Sequence, residues 1–181
     1  MKTNYKNHHN AENLSKVTDC DLAWLAAMIE AEGSITATVH FRKTGNIVIV
    51  PVVLFTNKDE LLVRKVQEIM ANLGIALNTS ERHCKYNGEK VKMYNLSVNR
   101  MGMVKKVINY IYPHIHGAKK KNANVVLEFI KDREENLLSR DGLGRIVRNK
   151  YSRDQVINIS SIRSHSNGHP LERMLEAPNI A

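Results

Sequence analysis

Apolar and polar positions change their period along the chain, and each change marks an element. The run LAWLAAMI, residues 22–29, holds no polar side chain. Thr18 precedes it as a helix cap with Asp21 at capping-box spacing, which predicts a helix from about residue 19 to Glu32. A helix apolar on every side must be covered on every side, and one domain core does not easily do that. Ala23, Ala27 and Ala31 recur every four residues, a stripe that lets a second helix approach closely; the plainer alternative is ordinary core alanine. After Gly33 the period drops to two. Ile35, Ala37, Val39 and Phe41 alternate with Ser34, Thr36, Thr38, His40 and Arg42, predicting a strand with one apolar face and one half-solvated, hydrogen-bonding face. Lys43-Thr44-Gly45-Asn46 reads as a turn and the apolar run to Thr56 as the returning strand, in which Pro51 implies an edge or a bulge.

Leu61, Leu62, Val66, Ile69, Met70 and Leu73 then predict a helix ended by Gly74. Asn87-Gly88 marks a second hairpin, with strands at about 78–86 and 89–98. Helices are expected at about 101–112, stopped by Pro113, at 119–138, and finally at 153–163 before the loop HSNGHP. The order helix, hairpin, helix, hairpin, helix, helix predicts an α+β fold with an antiparallel sheet. It divides into a flexible leader (1–17), one domain (18–165) and a C-terminal tail (166–181).

Composition narrows the chemistry. Lys and Arg number 27 against 18 Asp and Glu, and the net charge of +9 suits a polyanion, nucleic acid first and an anionic membrane surface second. The apolar runs fall short of the ~20 residues of a spanning helix, and the polar start, MKTNYKNHHN, has no signal-peptide pattern. Neither a membrane span nor secretion is expected. Cys20 and Cys84 lack CxxC spacing, which suggests reduced thiols in an intracellular protein. His83 beside Cys84 has no ligand-spaced companion and reads as a strand pair; His8, His9, His165 and His169 read as solvated.

The residues LAAMIEAEG (25–33) resemble the LAGLIDADG motif of homing endonucleases, and they open an element order that this family shares over about residues 18–130. The resemblance implies the LAGLIDADG homing-endonuclease fold, with the sheet as a DNA-binding surface. One copy of the motif is similar to the homodimeric branch, in which motif helices of two subunits pack through small residues; Ala27 and Ala31 take those positions and Ala23 extends them. In the family the last acidic residue of the motif binds the catalytic metal. That residue is Glu32 here, at a position the family usually fills with Asp, whereas Glu30 corresponds to a structural group. A carboxylate at a helix C-terminus needs a nearby cation, and Mg²⁺ (or Mn²⁺) fits an oxygen ligand of this kind.

The same resemblance assigns Asn57 to orienting solvent in the active site, although Asn57 or Asp59 also reads as a helix cap. It assigns Lys119 to stabilising charge at the scissile phosphate, with Lys120 and Lys121 as alternatives in register. For double-stranded DNA the contacts implied are Thr36, Thr38, His40 and Arg42 on the first hairpin. On the second, alternation favours Lys85, Lys90 and Lys92 with His83, while the family match favours Arg82 and Asn95; both registers stay open. The implied activity is a sequence-specific, Mg²⁺-dependent double-strand break in a long, partly palindromic homing site, serving intron or intein mobility. The alternative is a binder that does not cleave, either an RNA maturase acting on intron RNA or a DNA-binding regulator. The compartment would be the cytoplasm of a prokaryote, or an organelle or the nucleus of a eukaryote.

Overall fold

The computed structural model describes residues 16–86, 88–135, 138–140, 146–148, 150–162 and 171–180. Most of the leader, Asn87 of the second turn, and His8, His9, His165 and His169, expected to be solvated, lie outside them. The chain runs α1 (Asp19–Glu32), β1 (Gly33–Phe41), β2 (Ile47–Asn57), α2 (Glu60–Asn72), β3 (Asn78–Tyr86), β4 (Glu89–Val98), α3 (Met101–Ile111), α4 (Gly117–Glu135), β5 (Leu138–Arg140), β6 (Ile146–Arg148), α5 (Arg153–Ile162) and α6 (Leu171–Leu175). The capping box at Thr18 forms as expected: the hydroxyl accepts from the Asp21 N–H, and the Asp21 carboxylate accepts from the Thr18 N–H. α4 ends three residues before the expected Leu138, because that residue instead begins the β5–β6 hairpin, two strands too short to show a period.

Four strands form one antiparallel sheet in the order β1-β2-β4-β3. Alternation sends Ile35, Ala37, Val39, Ile47, Ile49, Val53, Phe55, Tyr94, Leu96 and Val98 into the core, where they meet Leu25 and Ile29 of α1, Val63 and Val66 of α2, and Val104, Ile108 and Ile111 of α3. The opposite face is open. β4 pairs with β2 only from Val53 onward, so Pro51 sits in an inner strand at a point where that side has no partner strand and its missing N–H leaves no gap in the ladder. Further along the same edge, the Ile47 N–H and C=O pair with the Asn179 side-chain amide at 2.9 Å each, and the Ile49 N–H donates to the Tyr151 hydroxyl. Residues 171–180 of the expected tail are therefore packed: Met174 is fully buried, and Arg173 lies 4.8 Å over the Phe41 ring. Met174 and Ala177 are buried, and Leu171, Leu175 and Ile180 pack against the core beside them.

Candidate active site and nucleic-acid interface

α1 delivers Glu32 to the surface and turns directly into β1. The turn depends on Gly33. A Cβ there would stand 2.8 Å from both the Ile29 Cα and the Leu54 carbonyl oxygen, so helix and sheet approach too closely for any side chain. Gly33 pairs with Phe55, which brings the Asn57 end of β2 beside the helix terminus.

Two residues from the start of α4 reach the same place. The Glu30 carboxylate accepts from the His116 backbone N–H and so ties the loop before α4 to the last turn of α1. Lys119 donates from its ammonium to the Gly33 carbonyl oxygen. A cation thus stands at the negative end of the α1 dipole, on the carbonyl of the residue that follows Glu32. Of the three candidate lysines only Lys119 does this. Lys120 Nζ lies 4.8 Å over the Tyr112 ring, and Lys121 is exposed on the helix surface. Asn122, one turn further along, donates to the Ile35 carbonyl at 3.0 Å and fastens α4 along the free edge of β1. Neither His116 nor Asn122 carried a sequence signal: His116 acts through its own backbone N–H on a carboxylate 86 residues away, and Asn122 bonds a backbone carbonyl 87 residues away.

Asn57 accepts from the Asp59 N–H at 2.8 Å, while Asp59 caps α2 by accepting from the N–H groups of Leu61 and Leu62. The cap is therefore Asp59, and Asn57 shapes the turn that leads to it. Among the described residues no three His, Cys, Asp or Glu side chains gather as a metal site. The donor set of one chain is the exposed Glu32 carboxylate, which fits a hard divalent ion that takes its remaining ligands from water and phosphate.

The pairing sorts the candidate contact residues between the two faces of the sheet. Ser34, Thr38 and His40 of β1 share it with Thr56 of β2, Asn95 of β4, and Ser80 and Arg82 of β3, as the pairs Ser34↔Leu54, Thr56↔Asn95, Ser80↔Asn95 and Arg82↔Met93 require. Arg42 stands exposed at the far turn, and Asn95 accepts from the Thr56 hydroxyl at 2.9 Å. Thr36 must be taken from the set of open contacts. It is 7% exposed and its hydroxyl donates to the Ile162 carbonyl at the end of α5. Lys85, Lys90 and Lys92 are also displaced. Their parity is that of Tyr94 and Leu96, so they lie on the helix side of the sheet, where Lys92 pairs with Glu81 at 3.0 Å. Both strands alternate, but which parity is open depends on the pairing Phe55↔Leu96, a long-range fact.

α1 buries Leu25, Ala26 and Ile29, while Ala27 and Ala31 are exposed, Ala23 is half-buried and Cys20 lies exposed on the same side. The alanine stripe is thus the uncovered face of an otherwise apolar helix. No described helix is long and apolar enough to cross a membrane.

Comparison with known proteins agrees with this architecture. The family model described as a LAGLIDADG-like domain matches residues 19–163. Among solved structures, the archaeal intron-encoded homing endonuclease I-Vdi141I complexed with DNA superposes with a TM-score of 0.60 at 19% identity, over 87% of this chain and 93% of that one. The homing endonuclease I-CvuI, in complex with its target in the presence of calcium, gives 0.59 at 16% identity over 93% and 95% of the two chains. I-TnaI, another homing endonuclease, gives 0.56 at 17% over 86% and 95%. At these identities the likeness is one of fold. No curated protein matches the chain in sequence.

Proposed function

Because the chain belongs to the family of LAGLIDADG-like domains, which accounts for residues 19–163, we propose that it is a sequence-specific DNA endonuclease acting as a homodimer on a long, partly palindromic site, in the service of intron or intein mobility. The observation that carries this reading is Lys119 held at the Gly33 carbonyl, at the α1 terminus where Glu32 stands exposed.

Glu32 would hold Mg²⁺ or Mn²⁺ there, an ion that when bound supplies Lewis acidity toward phosphate and water. The remaining roles belong to the chain's own groups. Lys119, fixed to the Gly33 carbonyl, brings positive charge to the helix end and opposes the charge that grows on the scissile phosphate. Glu30 keeps it there by holding the loop from which α4 starts. Asn57, at the adjoining end of β2, is suited to orient solvent. The duplex lies along the open face, with Thr38, His40, Arg42, Arg82 and Asn95 directed to base edges or phosphates. A second copy packs its Ala23, Ala27 and Ala31 face against the first, which covers the uncovered side of α1 and sets two Glu32 sites side by side, one for each strand.

The test is cleavage of a randomised duplex library, supplemented with the joined sequences that flank the gene, in Mg²⁺ and in Mn²⁺. Wild type should give double-strand breaks at one family of sites. Glu32→Gln keeps the shape but loses the charge, so it should bind those sites with undiminished affinity and cleave them at background rate. Near-normal cleavage by this variant would remove Glu32 from the chemistry, and failure of wild type to cut any duplex would end the nuclease reading.

A further inference from the structure

The open face of the sheet is polar at its edges and apolar through its middle. Successive β2 side chains on this face are Val48, Val50, Val52 and Leu54, each half-buried; the end of α5 reaches this face only at Thr36, opposite Val52, among the described residues. Val91 and Met93 of β4 continue the apolar character. The hydrogen-bonding groups stand on either side: His40 opposite Val48 and Thr38 opposite Val50 on β1, Arg82 opposite Met93 on β3. A face built only to hydrogen-bond bases would not place four aliphatic side chains in succession along an inner strand.

The occupant follows from continuity with the site. β1 leaves directly from Glu32 and β2 returns to it, with Gly33 opposite Phe55. A duplex with a phosphate at Glu32 must pass over Leu54 first and Val48 last. Base edges in the major groove present donors and acceptors, and their one apolar group is the C5-methyl of thymine. An aliphatic side chain over any other base edge would desolvate a polar group and return nothing. We propose that Val48, Val50, Val52 and Leu54 determine specificity by reading thymine C5-methyl groups in the major groove of the target. The inference rests on the DNA-binding reading above. Side chains on one strand face lie about 7 Å apart, about two base-pair steps of 3.4 Å. Thymines on either strand should therefore recur at intervals of about two pairs, moving outward from the cut in each half-site.

The experiment uses the full-length protein in magnesium-free buffer. Duplexes are selected by binding from a random library, and the selected site is remade with deoxyuridine replacing thymidine one position at a time, which removes only the methyl group. At two or more positions per half-site the uracil duplex should bind about fourfold more weakly. Val50→Ser and Val52→Ser should each lose the sensitivity to uracil at one position and keep it at the others. Wild type alone keeps the test decisive if the serine variants unfold, because the uracil substitutions alter only the DNA. Equal affinity for thymine and uracil at every position would overturn the inference and leave the DNA-binding reading intact. So would uracil sensitivity that persists unchanged in all four single variants, Val48→Ser, Val50→Ser, Val52→Ser and Leu54→Ser. Selection of no sequence at all would overturn both.

Discussion

Gly33 has Ile29 Cα and Leu54 O at 2.8 Å from where a Cβ would stand, both backbone atoms with no side-chain freedom to yield. Gly33→Ala should therefore destabilise the domain by roughly 1–3 kcal/mol, as overpacking does elsewhere, and urea unfolding measures it. Asp21 offers a second test at this scale. Its carboxylate, paired with Lys65 and bonded to the N–H and hydroxyl of Thr18, is held down at about 2, with the Lys65 bond the largest cause. A lowered carboxylate stabilises the fold fully above its ordinary value of 3.8, and that contribution is lost as pH falls through about 2. NMR titration should give a midpoint near 2, and Lys65→Met should move it up toward 3.8. Both residues were legible in the sequence, Gly33 as the end of a motif and Asp21 as half of a capping box. Thr36 was not: its hydroxyl meets a carbonyl 126 positions later in the chain.

Among the elements α1 has the least ordinary surface. It buries Leu25, Ala26 and Ile29 within the domain and leaves Ala27 and Ala31 exposed. Ala27→Leu should leave the monomer folded, since among the described residues none covers that position. It should still break close helix contact in a dimer, where an added side chain costs about 1–3 kcal/mol. Sedimentation at micromolar concentration should show wild type as a dimer and the variant shifted toward monomer; equal masses for the two would remove the alanine stripe from any interface. Helices α1 to α3 and both hairpins of the main sheet were visible as changes of period. The β5–β6 hairpin was not, because three residues per strand carry no measurable alternation.

At the scale of the whole molecule, the C-terminal segment belongs to the core. Met174 is completely buried, and Asn179 supplies both hydrogen bonds of Ile47 at an edge that β4 leaves open. Met174→Ala should cost roughly 2–5 kcal/mol by denaturant unfolding, in the range of large-to-small core changes; a detached tail would give a cost within experimental error of zero. Local chemistry sufficed for the order of elements from α1 to α4, the motif helix with Glu32 at its end, the turn glycine Gly88 and the net positive charge, since caps, turns and alternation act between residues a few positions apart. The family match favoured Lys119, Arg82 and Asn95 but left alternatives, and the tertiary structure decided that Lys119 and not Lys120 reaches the α1 terminus, that Arg82 and Asn95 share the open face while Lys85, Lys90 and Lys92 do not, and that Thr36 is spent on Ile162. A strand's period of two defines two faces but does not say which one the helices will cover. That assignment comes from pairings such as Phe55↔Leu96, between residues about forty positions apart, whose partners no local pattern identifies.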